Sequence, residues 1–161
     1  MNILALIPAR MGSSRFPGKP MAEILGMPMI GHVYNNVSKA NAVTMTAVAT
    51  CDEVIFEYIE SIGGIAVMTK NTYERASDRC AEALTKIEKS TGIVFDIVVM
   101  VQGDEPMTHP DMLDEAIKPM LADSSIMVTN LLGRIDSLEE FHDRNCIKVV
   151  CDLQSNAIYF S

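Results

Sequence analysis

The chain has 161 residues, of which 48% are hydrophobic and 21% charged, and a formal net charge of −8. This length can bury one substantial core, so we predict a single domain over residues 1–161, and the acidic balance argues against a nucleic-acid surface, which requires clustered cations. No apolar stretch is long enough to cross a bilayer, and no basic segment precedes the first apolar run as in a signal peptide, so we expect a cytoplasmic protein without membrane contact.

The first predicted element is a buried strand, Met1–Ile7, that runs directly into a basic loop. The segment Ile7–Pro20 reads IPARMGSSRFPGKP and holds three cations, Arg10, Arg15 and Lys19, with no carboxylate. Glycines and serines add free backbone N–H groups and hydroxyls beside these cations, which is typical of a polyphosphate site after a strand. The alternative is a solvated loop whose cations form ordinary surface ion pairs, since the segment matches neither the Walker A pattern nor GxGxxG.

Strand and helix patterns then alternate, which predicts a layered α/β fold with a mostly parallel sheet. Helices are predicted at Pro28–Lys39, Asp52–Ile62, Ser77–Lys89 and Pro110–Leu121, and strands at Ala42–Thr50, Ile65–Thr69, Ile93–Gln102 and Ser125–Leu132. After a polar turn or short helix at Glu139–Asn145, the strands Ile147–Asp152 and Ala157–Phe160 are predicted to form a hairpin. A chain that ends on such a strand leaves an exposed edge, which is unusual for a complete domain.

The turn Gln102–Pro106 (QGDEP) follows the most strand-like run of the chain. A carboxylate at the carboxyl end of a strand, here Asp104, suits Mg²⁺, which prefers one or two carboxylates together with phosphate oxygens and water. The alternative for Asp104 is a cap of the next turn. Glu105 either supports Asp104 or faces solvent.

The four cysteines have neither CxxC spacing nor adjacent histidines, which argues against a zinc site and against disulfides. We therefore expect reduced, mostly buried thiols.

Four motifs in order, IPARMGSSRFPGKPM, GMPMIGHV, VATCD and VQGDEP, resemble the cytidylyltransferases that make CMP-activated sugar acids, and are most similar to the 3-deoxy-manno-octulosonate (KDO) cytidylyltransferases. The resemblance implies a Rossmann-like nucleotide-diphospho-sugar transferase fold, three-layer α/β/α around a mostly parallel mixed sheet. It also implies that CTP and a sugar acid, KDO or a relative, give a CMP-sugar and pyrophosphate with Mg²⁺, in lipopolysaccharide biosynthesis. Members of this family continue past the equivalent of Asn156–Ser161 into a part with sugar contacts, homodimer contacts and a second metal ligand, so we expect the chain to lack that portion.

The resemblance also implies roles for individual residues. Nucleotide contacts are expected at Pro8, Ala9, Arg10, Gly12, Ser13, Ser14, Arg15, Lys19, Ser77 and Arg79, substrate contacts at Arg75, Arg79 and Gln102, catalytic roles at Arg10, Lys19 and Asp104, and the metal at Asp104. For Arg15 a structural ion pair, for Arg75 a solvated position and for Gln102 a plain strand-end hydrogen bond stay open. No side chain in these motifs is an obvious base for the attacking hydroxyl, which favours activation of that hydroxyl by the metal.

One segment departs from the family pattern. Where most KDO enzymes have HxSGT[DE]R, this chain has Tyr73–Arg79, YERASDR. The departure leaves open another acceptor, either a different sugar or a phosphonate-type acid. The expected lack of a C-terminal portion leaves open a non-catalytic nucleotide-binding module.

Overall fold

The computed structural model describes residues 1–12 and 16–161, whose contacts divide the chain into two compact units, Met1–Thr129 and Asn130–Ser161. The strands are β1 (Ile3–Ala9), β2 (Glu23–Ile24), β3 (Met27–Pro28), β4 (Met45–Thr50), β5 (Ala66–Met68), β6 (Ile97–Met100), β7 (Val149–Cys151) and β8 (Ala157–Phe160). The helices are α1 (Met29–Val37), α2 (Glu53–Ser61), α3 (Ala76–Thr91), α4 (Pro110–Ala122) and α5 (Leu138–His142), with a 3₁₀ turn at Lys19–Met21. A single domain over residues 1–161 stays a prediction.

The first unit is a three-layer α/β/α sandwich, which confirms the predicted fold class. Its four-stranded sheet has the order β5-β4-β1-β6, and every pairing in it is parallel. Successive side chains of a strand point to opposite faces. In β1 the residues Ile3, Ala5 and Ile7 therefore pack in one apolar cluster with residues of α1, α2 and α4, while Leu4 and Leu6 pack in a second cluster with residues of α3. The antiparallel pairs β2-β3 and β7-β8 are separate two-stranded sheets.

The strand order creates a crevice beside β1. From β1 the chain adds β4 and then β5 on one side, whereas β6 pairs with β1 on the other side. Loops that leave two neighbouring strands in opposite directions separate at the carboxyl edge, which is where ligands bind in open α/β sheets. The basic loop follows β1 and the QGDEP turn follows β6, so both sequence motifs meet at this crevice.

Most predicted elements are confirmed, and two differ because a strand needs a partner. The predicted strand Ile93–Gln102 is only Ile97–Met100 in the structure, since its register with β1 begins at the pair Ile3 and Ile97. The predicted strand Ser125–Leu132 is wrong: these residues have no regular structure, and Met127 and Val128 are exposed. Apolar, β-branched composition favours an extended chain, but it does not supply the neighbouring strand that completes a ladder.

Two further expectations concern the second unit and the thiols. The predicted hairpin is confirmed, since β7 pairs antiparallel with β8. All four cysteines are free, but the expectation that most are buried is wrong, because only Cys80 is buried. Among the described residues no helix combines the length and the apolar character that a bilayer span requires.

Candidate functional site

A cleft of about 680 Å³ lies in the first unit at the carboxyl ends of β1 and β6. Three segments line it: the end of β1 with the loop after it, the turn after β6, and the chain at the N-terminus of α3. The lining residues are Pro8, Ala9, Arg10, Gly12, Phe16, Lys19, Pro20, Tyr73, Glu74, Arg75, Ala76, Arg79, Gln102, Gly103 and Asp104. Four of these are cations and two are carboxylates, so the cleft is positively charged in a chain of net charge −8.

An ion pair joins the two motifs across the cleft. Lys19 Nζ lies 2.7 Å from Asp104 Oδ2, although the two residues are 85 positions apart in the sequence. The Lys19 side chain is 35% exposed and that of Asp104 50% exposed, so a ligand in the cleft can reach both groups. An exposed ion pair contributes less than about 1 kcal/mol to stability. The phosphates of a nucleotide can therefore replace Asp104 as the partner of Lys19 at little cost.

Local backbone geometry directs Lys19 into the cleft. Gly18 has φ +74°, in the left-handed region that favours glycine, and caps the 3₁₀ turn Lys19–Met21, whose Pro20 is buried. The Gly18 N–H also donates to the Met11 carbonyl at 3.0 Å, which joins the two ends of the basic loop. The hydrogen bond between Gly18 and Met11 therefore fixes the backbone from which the Lys19 side chain extends into the cleft.

Gly103 allows the turn after β6 to lie against the end of β1. A Cβ atom built on Gly103 would lie 2.5 Å from the carbonyl oxygen of Pro8 and 3.5 Å from the Cβ of Ala9. Backbone atoms cannot give way as a flexible side chain can. The glycine is thus required for the close approach that places Asp104 beside the basic loop.

We expect Gly103→Ala to lower the free energy of unfolding by about 2 kcal/mol, because the added methyl group forces the two backbones apart. Urea unfolding measures this change. Gly133→Ala is the matched control, since a Cβ there would meet nothing within 4 Å among the described residues, and it should stay within about 0.5 kcal/mol of the wild type. Equal midpoints for Gly103→Ala and the wild type would contradict this account.

Arg79 is a buried cation whose charge has no ionic partner in the described part of the chain. The residue is 3% exposed; its Nη1 donates to Thr69 Oγ1 at 2.5 Å, while its Nη2 is buried without a hydrogen-bond partner. Burial also raises the pKa of the neighbouring Cys80 thiol to about 11, an effect that the charge of Arg79 opposes. An unpaired donor on a buried cation is costly, so a guanidinium that lines a cleft in this state is suited to an anionic ligand.

Two more arginines line the cleft with their charges available. Arg10 follows β1, and Arg75 immediately precedes α3; both are exposed, and neither forms an ion pair within residues 1–12 and 16–161. Ala76, the first residue of the 16-residue helix α3, lines the same wall, so the positive end of that helix dipole adds to the field. The cleft thus offers several donors to an anion of extended shape.

The structure brings most of the predicted site residues together and leaves a few apart. The cleft is lined by Pro8, Ala9, Arg10, Gly12, Lys19, Arg75, Arg79, Gln102 and Asp104. Ser77 is exposed on α3 and does not line the cleft, while Ser13, Ser14 and Arg15 lie outside the described residues. The roles of all these residues stay predictions.

Sequence reasoning assigned no site role to several residues that line the cleft. These are Phe16, Pro20, Tyr73, Glu74, Ala76 and Gly103. They all lie in or next to the three motif segments, but neither an apolar residue nor a single tyrosine or glutamate there carries a chemical signature that separates a cleft position from a solvent-facing one. Only the packing of the three segments reveals them.

The carboxylate of Asp104 suits a Mg²⁺ ion that takes only part of its ligands from the protein. The described residues contain no group of three or more His, Cys, Asp or Glu side chains that could hold a metal ion by themselves. The half-exposed Asp104 carboxylate in a cationic cleft fits Mg²⁺ that takes its other ligands from phosphate oxygens and water. The site is therefore compatible with a metal that arrives with a polyphosphate.

Comparison with known proteins identifies the family of this chain. The family model described as Cytidylyltransferase matches residues 4–161. The chain is 48% identical over its full length to a 3-deoxy-manno-octulosonate cytidylyltransferase of Geobacter metallireducens and 46% identical to that of Geotalea uraniireducens, and spans 61% and 62% of their respective lengths. The solved structure of CMP:2-keto-3-deoxy-manno-octonic acid synthetase complexed with CTP matches 100% of this chain and 64% of its own, at 36% identity and a TM-score of 0.92. The chain, with its cationic cleft at the carboxyl edge of a parallel sheet, belongs to the cytidylyltransferase family.

Proposed function

We propose that the chain provides the nucleotide site of a Mg²⁺-dependent cytidylyltransferase that joins CTP to a sugar acid, KDO or a relative, with release of pyrophosphate. The observation that carries the proposal is the meeting of Lys19 and Asp104 in one cleft. The family membership and the relatives named 3-deoxy-manno-octulosonate cytidylyltransferase support it further. Because the chain spans about three fifths of those relatives, the activity of the whole protein is part of the proposal.

The cleft residues suit a displacement at the α-phosphorus of CTP. A hydroxyl oxygen of the sugar acid forms the new bond to phosphorus, the bond to the bridging oxygen breaks, and pyrophosphate leaves with the electron pair while the hydroxyl proton passes to solvent. Arg10 and Lys19 bind the triphosphate and neutralise charge on the leaving group. Arg79, buried in the wall of the cleft, adds a positive charge that has no ionic partner among the described residues.

The metal and the acceptor complete the site. Asp104 would hold Mg²⁺, which when bound supplies charge neutralisation at the phosphates. Arg75 and Gln102, which lie on two different segments of the cleft wall, are suited to the carboxylate and hydroxyls of the acceptor. Homodimer formation stays a prediction.

We expect Lys19→Ala to weaken CTP binding about tenfold, since the substitution removes one charge-assisted hydrogen bond to a phosphate. Isothermal titration calorimetry with CTP and Mg²⁺ measures the affinity. The control is Lys118→Ala, because Lys118 is an exposed lysine of α4 outside the cleft. An unchanged affinity for Lys19→Ala would remove this residue from the phosphate site.

Pyrophosphate release with CTP, Mg²⁺ and a panel of acceptors tests the function. Product with KDO supports the proposal as stated. Product only with a different sugar or a phosphonate-type acid would assign a different acceptor, a possibility raised by the extra cation Arg75 in the cleft. CTP binding without turnover on any acceptor would assign a nucleotide-binding module, and a chain that binds no CTP would refute the proposal.

A further inference from the structure

Asp52 occupies a helix-capping position but directs its carboxylate elsewhere. It is the N-cap residue of α2, where an aspartate ordinarily accepts a hydrogen bond from the first turn of its own helix, yet its side chain makes no such bond. Instead, Asp52 Oδ2 accepts a hydrogen bond from the backbone N–H of Met11 at 2.8 Å. The carboxylate thus forgoes the stabilisation of its own helix and contacts the basic loop, 41 residues earlier in the chain.

Met11 is in turn the residue at which the loop closes. Its N–H is bound by Asp52, and its carbonyl accepts the Gly18 N–H at 3.0 Å. Gly18 leads directly into the turn that carries Lys19, and Lys19 contacts Asp104. Two hydrogen bonds and the peptide link from Gly18 to Lys19 therefore connect the chain after β4 to the ion pair of Lys19 with Asp104.

We propose that Asp52 is a positioning residue for nucleotide binding, which holds Met11 and, through the hydrogen bond between Met11 and Gly18, the backbone that presents Lys19 to the phosphates. The inference rests on the proposed function. Asp52 is not among the residues that line the cleft, so it acts through Met11 and not by contact with the ligand. The hydrogen bond from the main-chain N–H of Met11 to the ionised Asp52 is charge-assisted, which makes it stronger than a bond between neutral groups.

The test compares three substitutions of Asp52 with a matched control. Asp52→Asn keeps a side-chain oxygen at the same reach, Asp52→Ala removes it, and Asp52→Ser is too short to reach Met11 but is still favoured as an N-cap. Asp123→Ala is the control: it removes the same charge and an aspartate that likewise accepts a backbone hydrogen bond, from Ser125 at 2.8 Å, outside the cleft. All variants are made in the 161-residue chain, and thermal unfolding verifies that each one folds.

Two readouts separate positioning from general stability. Amide hydrogen exchange measured by NMR should be at least about tenfold faster at Met11 in Asp52→Ala and Asp52→Ser, and unchanged in Asp52→Asn and Asp123→Ala. The Kd for CTP with Mg²⁺ should rise about tenfold in Asp52→Ala and Asp52→Ser, equivalent to about 1.4 kcal/mol, and less than about threefold in the other two.

The outcomes distinguish this inference from the proposed function. Wild-type protection of Met11 in Asp52→Ala, or wild-type CTP affinity in both Asp52→Ala and Asp52→Ser, would overturn the positioning role. A wild-type chain that binds no CTP would refute the proposed function, whereas faster Met11 exchange in Asp52→Ala would in that case still support Asp52 as the residue that holds the loop.

Discussion

Asp104→Asn is expected to lower Mg²⁺-dependent pyrophosphate release from CTP by about 10³-fold, or ~4 kcal/mol of transition-state free energy. The substitution keeps the shape of the side chain and removes the negative charge on which a divalent cation depends. Asp104 is the only carboxylate that the QGDEP turn contributes to the cleft. Its loss therefore leaves that wall without an anionic ligand for the metal.

Two controls accompany this prediction: the stability of Asp104→Asn and the activity of a variant at the neighbouring carboxylate. The ion pair of Asp104 with Lys19 is half exposed, so Asp104→Asn should change the free energy of unfolding by less than about 1 kcal/mol. Glu105→Gln alters the adjacent carboxylate, which is exposed and does not line the cleft, and the rate should stay within about twofold of the wild type. A wild-type rate for Asp104→Asn would exclude this residue from the mechanism.

Arg79→Met is expected to weaken CTP binding or acceptor binding about 100-fold, and turnover with it, while the fold becomes no less stable. The guanidinium is buried with one nitrogen unpaired, so a methionine of similar length removes an uncompensated charge from the interior. Thr69 loses the donor Arg79 Nη1, but its hydroxyl still donates to the Thr50 carbonyl at 3.0 Å. We expect the free energy of unfolding to be unchanged or higher by about 1 kcal/mol.

Two results together distinguish a binding arginine from a structural one: its substitution strongly weakens ligand binding, and it does not lower the free energy of unfolding. Arg134→Met is the surface control: Arg134 is 88% exposed at its side chain and pairs with Asp136 at 2.7 Å, so both affinity and stability should match the wild type. Calorimetry with CTP and with each acceptor, together with urea unfolding, provides the two measurements. If Arg79→Met lowered the free energy of unfolding but left the affinities for CTP and the acceptor unchanged, Arg79 would be a structural residue.

The sequence alone was sufficient for the class of fold, and it predicted a chemistry for the site from local properties of the chain. Cations, glycines and serines after a first strand predicted a phosphate site from charge and backbone freedom, which are local properties of residues 7–20. The alternation of strand and helix patterns predicted the layered parallel sheet, because hydrophobic period depends on neighbours along the chain. The four ordered motifs predicted the cytidylyltransferase family, which the comparisons confirm.

Only the tertiary structure decided which of these segments meet. The pairing of β1 with β6 brings Lys19 and Asp104 to 2.7 Å, and Gly103 permits the contact because a side chain there would strike Pro8. Burial decided that Arg79, one of several arginines in the sequence, has an unpaired nitrogen in the interior. The sheet also excluded a strand at Ser125–Leu132: the composition of these residues suits a strand, but no neighbouring strand in the described part of the chain pairs with them. Strand neighbours, close approaches and desolvation all depend on residues distant in sequence, and local periodicity carries no information about them.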